Sequence, residues 1–454
     1  MKQLLAYCLS IILCVSFTGC MENYLDLYPE DKITSASFPE NESDIKLLLN
    51  GVYAQLREKE VYNQGLFGFG ITDGATPNAF NWGTDEVFNK LGAGRLSSSD
   101  GGVVTYRWKR CYEIISRANY LLACMDLVDL SEEAKAKYSG ETHFLRGLAY
   151  SVLAETYGGV PIILTNISTE EARSLKRASL EETWQQALDD YEVAITNLGV
   201  DAPEPGRATK GAALGMKMRA YLYQGKYKEV LSCVEQIDAL KKYGLFHSYE
   251  GLFDPANENN KEVLFDIQYI EGENSQGSYI DQYCGTGTGS WTRGSRYVPT
   301  DDLVAAYETI DGSPVDPENP YENRDPRLGF TAVLPGSYFL GYRFPNYLYP
   351  GGAFNHAGNR LKHLSTRKYR IQDESKLPPS GQSYINDIIL RYADVLLSKA
   401  EAIIETNGNV ADAIAILNRI RTERDDVKIS LLPTSMSREE AREKVRPVSY
   451  THLT

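Results

Sequence analysis

Residues 143–161 read HFLRGLAYSVLAETYGGVP. Phe144, Leu148 and Val152 recur at intervals of four, with Leu145, Ala149 and Leu153 beside them, so one apolar stripe runs along a helix. Gly158-Gly159-Val160-Pro161 then ends it, because glycine and proline do not continue a helical ladder. Outward from here the same pattern repeats. In 180–198, Trp184, Leu188, Tyr191, Ile195 and Leu198 alternate by four and three residues, a sustained core seam. Arg219-Ala220-Tyr221-Leu222 leads through Tyr223-Gln224-Gly225 into a helix over 226–240, and Lys399-Ala400-Glu401-Ala402 leads through Thr406-Asn407-Gly408 into one over 410–421. Each unit is a helix pair with small residues where the helices approach. This is tetratricopeptide-like logic with a degenerate repeat. Such pairs cannot bury their faces alone and must stack. Upstream, Asn41-Glu42-Ser43-Asp44 is a capping start for a helix over 45–57, and 108–125 continues in kind. The expected class is mainly α, with helix over most of 41–250 and 386–446.

Between 251 and 385 the texture changes. Gly, Pro, Asn, Ser and Tyr dominate, and helical periodicity mostly disappears. Residues 261–267, KEVLFDI, read as a short strand. Residues 284–290, CGTGTGS, form a glycine run without the Gly-Lys-Ser/Thr ending of a phosphate-binding loop, which argues against nucleotide binding. Long irregular segments in a compact protein are usually functional. A helical scaffold carrying a loop-rich layer with a few short strands is therefore expected.

Composition narrows the class. The chain has 454 residues, 43% apolar and 24% charged, which excludes a disordered, collagenous or multi-pass membrane protein. Its formal charge of -14, with no basic block, argues against nucleic acid and anionic headgroups as partners. Cys111, Cys124, Cys233 and Cys284 match no metal-ligand spacing, and His356 and His363 form no cluster. Free buried thiols are the expected state, a disulfide remains open, and neither metal nor cofactor is indicated.

The first residues carry an address. After Lys2, residues 4–17 are almost wholly apolar; about fourteen residues are too few to span a bilayer, which takes about twenty. Residues 1–19 read as a lipoprotein signal peptide. Ser16-Phe17-Thr18-Gly19-Cys20 is similar to a bacterial lipobox, with Phe17 where Leu is preferred. Two or three acyl chains on Cys20 would anchor the protein durably. The polar, acidic residues 21–26 fit export to the outer face of an outer membrane.

From Cys20 to about Lys444 the chain resembles the SusD/RagB family of outer-membrane nutrient-binding lipoproteins. The residues that carry the resemblance are Tyr24-Leu25-Asp26-Leu27-Tyr28-Pro29, Leu49-Asn50-Gly51-Val52-Tyr53-Ala54, Trp108 with Tyr112, Ile115 and Ala118-Asn119, the 144–161 stretch, and Gly206-Arg207-Ala208-Thr209-Lys210. Tyr307 with Asp311-Gly312, Asn323-Arg324-Asp325-Pro326-Arg327 and the run from Arg391 to Leu397 complete them. Their order and spacing together are specific. The resemblance implies one domain, residues 20–447, with four tetratricopeptide-like units and a loop-rich portion over about 251–385. It implies capture of glycans over a SusC-like TonB-dependent transporter, anchorage to the outer membrane through Cys20, and no catalysis. Arg146, Arg324 and Arg391 are expected to anchor helix ends and loops. Family members usually continue with a further helix. Here one begins at 438–444 and is expected to stop at Arg446-Pro447. Residues 448–454 read as a non-native tail, since 448–453 match one translated frame of a common sequencing adapter, and the natural C-terminus is expected to be missing.

Sugars offer apolar ring faces edged with hydroxyls, so a receptor needs exposed aromatic planes with polar groups at their rims. Two segments fit. The first is 73–82, holding Asp73, Asn78, Asn81 and Trp82, where Pro77 argues for a loop. The second is 279–297, holding Tyr283, Trp291, Arg293 and Tyr297 among glycines. A third, weaker one is the Tyr-rich 342–349, whereas Trp108 and Trp184 lie on helical stripes and are expected in the core. The rival readings are peptide capture by the same architecture, a tetratricopeptide-type scaffold for partner proteins, and a glycoside hydrolase using paired carboxylates.

Overall fold

The computed structural model describes residues 38–57, 76–81, 90–97, 99–271, 277–278, 297–340, 342–344, 364–379 and 382–453. The helices are α1 (Glu42–Arg57), α2 (Val103–Cys124), α3 (Glu132–Tyr157), α4 (Thr169–Ser174), α5 (Leu180–Asn197), α6 (Lys210–Tyr223), α7 (Tyr227–Ala239), α8 (Asp301–Ala306), α9 (Pro326–Thr331), α10 (Tyr392–Glu405), α11 (Val410–Thr422) and α12 (Arg438–Leu453). The strands are β1 (Ala79–Asn81), β2 (Val263–Ile267), β3 (Tyr297–Pro299), β4 (Ala332–Val333), β5 (Tyr338–Phe339), β6 (Tyr342–Arg343), β7 (Ser365–Thr366) and β8 (Asp387–Arg391). They pair antiparallel as β1–β3, β2–β8, β4–β7 and β5–β6.

Local chemistry starts the helices where the sequence places them. Asn41 Oδ1 accepts from the Asp44 N–H at 3.2 Å, and Asp44 Oδ2 accepts from the N–H of Glu40 at 2.8 Å. Ser179 and Glu182 form a reciprocal capping box on α5, and Ser168 with Glu171 does the same for α4. Ser131 caps α3, which begins eleven residues before the stripe that marks it in sequence because its first turns are polar.

The helices then stack. α1 packs on α2, α2 on α3, α3 on α5, α5 on α6, and α6 on α7. α7 meets α10 next, and α10 packs on α11 and α12. The pairs α1–α2, α3–α5, α6–α7 and α10–α11 are the four tetratricopeptide-like units. Close approach depends on glycine at two points. A Cβ on Gly147 would lie 3.0 Å from the Asp190 Cβ, and one on Gly159 only 2.0 Å from the Ala178 carbonyl oxygen. The loop-rich portion is thus an excursion between the third and fourth pairs. Its two ends are joined by β2–β8, and Asp238 on α7 accepts from the Tyr392 hydroxyl at 2.8 Å and Lys399 Nζ at 2.9 Å, both on α10.

Several of the residues that carry the family resemblance hold these joints. Arg146 binds Asp190 through Nε (3.0 Å) and Nη2 (2.7 Å), and Asn119 through Nη1 (2.8 Å), tying α3 to α5 and α2. Asn119 in turn donates to the Ile163 carbonyl beyond Gly158-Gly159. Asn50 and Tyr53 on α1 meet the 206–208 motif: Arg207 bonds Asn50 at 2.6 Å and lies 4.9 Å over the Tyr53 ring. Glu262, with 0% exposure, accepts from Arg391 at 2.9 Å and from both Nη atoms of Arg424 at 2.8 Å. Burial alone would raise that carboxyl, but the guanidiniums of Arg424 and then Arg391 hold it below its ordinary range. Arg324 donates to the carbonyls of Pro320, Val304 and Tyr307.

Trp184 is buried, and Trp108 is half-buried against Tyr112 and Tyr157, at 5.0 and 5.2 Å between ring centroids. Cys111, Cys124 and Cys233 are buried free thiols, while Cys284 lies outside the described residues. Among the described residues no His, Cys, Asp and Glu group is arranged to hold a metal. Three sequence expectations need correction. Residues 79–81, read as loop, form strand β1, because pairing with β3 supplies the backbone partners that three residues cannot provide locally. Residues 387–391 form strand β8 ahead of α10. The last helix does not stop at Arg446-Pro447 but runs to Leu453. Ala441 and Val445 are buried, and Arg442 and Lys444 pair with Glu405 and Glu308. With the preceding turns anchored, a proline removes one ladder bond without ending the helix.

Candidate functional site

The two aromatic segments singled out in the sequence meet at Asn81 and Tyr297, distant in the chain, in one ladder. Ala79 pairs with Pro299, Phe80 with Val298, and Asn81 with Tyr297. Because the pair is antiparallel, the chain passes to Trp82 and arrives from Arg296 at the same end of the ladder. At the other end the Thr300 N–H donates to the Asn78 carbonyl at 3.0 Å, and the Thr300 hydroxyl donates to the Pro77 carbonyl. The same hydroxyl oxygen accepts from the Leu303 N–H at 3.1 Å and so caps α8. One threonine therefore fixes β1, β3 and α8 together.

The seat beneath is rigid for identifiable reasons. Leu303, Tyr307 and Leu328 form a small apolar cluster. Arg324 gathers the carbonyls of Val304 and Tyr307 at the end of α8. Asp325 caps α9 and binds Arg327 through both oxygens, at 3.0 and 2.5 Å, with both side chains buried. The Tyr307 hydroxyl shares a hydrogen bond with Thr331 Oγ1 at 2.9 Å, and burial raises its pKa. β3 also lies beside β7.

Of the candidate residues, Asn81 and Tyr297 face each other across the ladder as register partners. Asn78 is buried, and its N–H donates to Thr76 Oγ1 at 3.1 Å. Asp73, Trp82, Tyr283, Trp291 and Arg293 lie outside the described residues, as do Cys20 and the leader. Phe80 is a residue that sequence reasoning passed over. It remains 48% exposed although its partner Val298 is buried. An aromatic residue two positions before Trp82 in the same loop-like stretch was the available signal. An edge of this kind can stack on sugar rings and hydrogen-bond at their rims.

The most strongly raised carboxyls lie elsewhere, at the root of the excursion. Burial pushes Asp266 up to about 6 and Asp387 and Glu258 up to about 7. Asp266 is held by Gln268 (2.7 Å) and Asn386 (3.2 Å), and Glu258 accepts from the Asn386 N–H at 2.8 Å. Their hydrogen bonds knit β2 to β8. Among the described residues no helix is long and apolar enough to cross a membrane.

Comparison with known proteins agrees with this architecture. Residues 261–446 match the SusD family model, and residues 23–222 match a model described as starch-binding associating with the outer membrane. SusD-like protein P25 of Formosa agariphila is 26% identical, over 92% of this chain and 81% of its own length. A SusD-like carbohydrate-binding protein of Bacteroides fragilis superposes with a TM-score of 0.80 at 26% identity, over 91% of this chain and 84% of its own. A second SusD-like protein of that organism gives 0.79 at 26% identity, over 94% and 86%. Two models that together take in most of the chain, and solved structures that superpose over 91% and 94% of it, lead to one conclusion: this chain belongs to the SusD/RagB family.

Proposed function

We propose that the protein captures oligosaccharides at the open end of the β1–β3 ladder and delivers them to a SusC-like TonB-dependent transporter. It is held at the outer membrane through lipid on Cys20 and performs no catalysis. The observation that supports the reading is the Asn81–Tyr297 register, a pairing between residues of the two candidate segments. The half-exposed Phe80 ring on β1 offers an aromatic surface on the same strand. The carbohydrate-binding description of the similar Bacteroides fragilis protein supports the ligand class. Two or three stacked rings supply micromolar to millimolar binding, about -8 to -4 kcal/mol, which suits a protein that must release its cargo.

The test is a binding panel of soluble plant, host and microbial glycans and mixed peptides, run on the mature chain without its anchor Cys. One glycan class is expected to bind and to lose at least about tenfold in affinity in the Trp82→Ala, Trp291→Ala double variant, with helical circular dichroism unchanged. Unchanged affinity sinks the site assignment, peptide binding alone sinks the glycan reading, and glycan turnover by the pure protein sinks the non-catalytic one.

A further inference from the structure

Away from the β1–β3 ladder, the β5–β6 hairpin sorts its side chains by face. Tyr338 and Arg343 are register partners. Successive side chains of a strand point to opposite faces, so Tyr338 and Arg343 share one face while Phe339 and Phe344 take the other. The inner face is sealed: Phe339, Leu340 and Phe344 are buried and pack with Val333 of β4. The outer face is open. Tyr338 is 68% exposed, more than any other Tyr, Phe or Trp among the described residues. Arg343 is exposed beside it.

The frame under this pair is fixed. The Phe344 N–H donates to the Ser337 carbonyl at 2.9 Å, and the Ser337 N–H and hydroxyl both donate to the Leu334 carbonyl, at 3.1 and 2.6 Å. Leu340 follows β5 with φ 50°. Tight hairpin turns use left-handed residues to match the twist of their strands, and Asn, Asp or Gly normally fill them. A leucine there is strained, and burial of its side chain in the Val333 cluster offsets the cost. An apolar anchor therefore stands where a hairpin tip is usually loose. β4 pairs with β7, which lies beside β3, so the hairpin and the ladder belong to one set of packed strands.

Both outer groups are uncommitted. Among the described residues, neither the Arg343 guanidinium nor the Tyr338 hydroxyl has a hydrogen-bond or ion-pair partner. The guanidinium lies 6.0 Å from the Tyr338 ring centroid, at the outer limit of a cation–π contact, so it borders the ring without covering it. It offers five N–H donors and no acceptor. A saccharide has the matching chemistry, an apolar ring face rimmed by oxygens that accept.

The geometry points to the outer face of the β5–β6 hairpin as a second saccharide contact, separate from the ladder: Tyr338 stacks on a sugar ring while Arg343 donates to the oxygens at its edge. The choice of a sugar as ligand rests on the glycan-capture reading.

The experiment puts 3-fluorotyrosine in place of Tyr338 in the mature chain and follows its fluorine resonance during titration with hexasaccharides of the cellulose, xylan, mannan and starch types. The same label in place of Tyr223, exposed on α6, is the control. At least one hexasaccharide is expected to shift the label at Tyr338 saturably and to leave the control unmoved. Arg343→Gln is expected to raise the concentration that gives half the shift by about three- to tenfold. The Trp82→Ala, Trp291→Ala variant is expected to keep the shift. A hexasaccharide that binds by calorimetry without moving the label at Tyr338 overturns the inference and leaves the glycan-capture reading standing. Equal movement of the two labels also overturns it, as does a half-shift concentration that Arg343→Gln leaves unchanged. A shift retained in the double Trp variant, with calorimetric affinity also unchanged, supports the hairpin contact while sinking the ladder as the site. Failure of all four probes to move the label overturns the inference, and the glycan-capture reading is then decided by its own broader panel.

Discussion

Single residues set the joints of this protein, and Glu262 is the most constrained. It bonds Arg391 at the end of β8, Arg424 beyond α11 and the Phe246 N–H at 2.7 Å, all away from solvent. Breaking a buried ion pair by removing one charge leaves its partners uncompensated, at a cost of about 3–5 kcal/mol. Glu262→Gln is therefore expected to lower unfolding free energy by about that amount in urea titration. A loss below about 1 kcal/mol would show that the two guanidiniums find other acceptors. The structural role of the three motif arginines was implied by the family resemblance. Their partners were not, because Glu262 lies 129 residues from Arg391 along the chain. The exposure of Phe80 was hidden for a similar reason: which side of a three-residue strand meets solvent depends on what covers it.

At the scale of elements, the helices were readable because 3.6-residue periodicity repeats over many turns and serine caps mark the starts. The short strands were not. β1 and β8 offer three and five residues, too few for period two to stand out, and their partners come from distant sequence. The two candidate segments were visible one at a time as Trp among Gly, Pro and Asn, but the ladder in which Asn81 meets Tyr297 is a long-range pairing.

The β2–β8 ladder also carries a pH dependence. Asp266, Asp387 and Glu258 have folded pKa values raised to about 6, 7 and 7 by burial. A carboxyl raised on folding favours the folded state while protonated, and that contribution fades as pH climbs through the folded value. Stability is thus expected to fall between about pH 4 and 7. Asp387→Asn is expected to recover on the order of 1–3 kcal/mol at pH 8 and almost nothing at pH 4, read from urea midpoints. An equal effect at both pH values would point to packing instead.

Across the whole molecule, one apolar core runs from Ile45 on α1 to Val445 on α12, taking in both sides of the excursion. Stacked repeats can lose cooperativity along their length, but here the last pairs return to seal against α7. Calorimetry is expected to give a single unfolding transition with equal van't Hoff and calorimetric enthalpies. Two resolved transitions would mean that the fourth pair and the excursion melt apart from the rest.

The β2–β8 root has a consequence for how such a protein diversifies. Residues 268–386 leave and return through one pair of adjacent strands, with Ile267 opposite Asp387. Closing a loop depends only logarithmically on its length, about 0.6 kcal/mol for each doubling. The excursion therefore behaves as a cassette in a socket. It can lengthen, shorten or be rewritten while the β2–β8 root keeps its two ends in place. Inheritance can thus vary the loops without renegotiating where they are rooted.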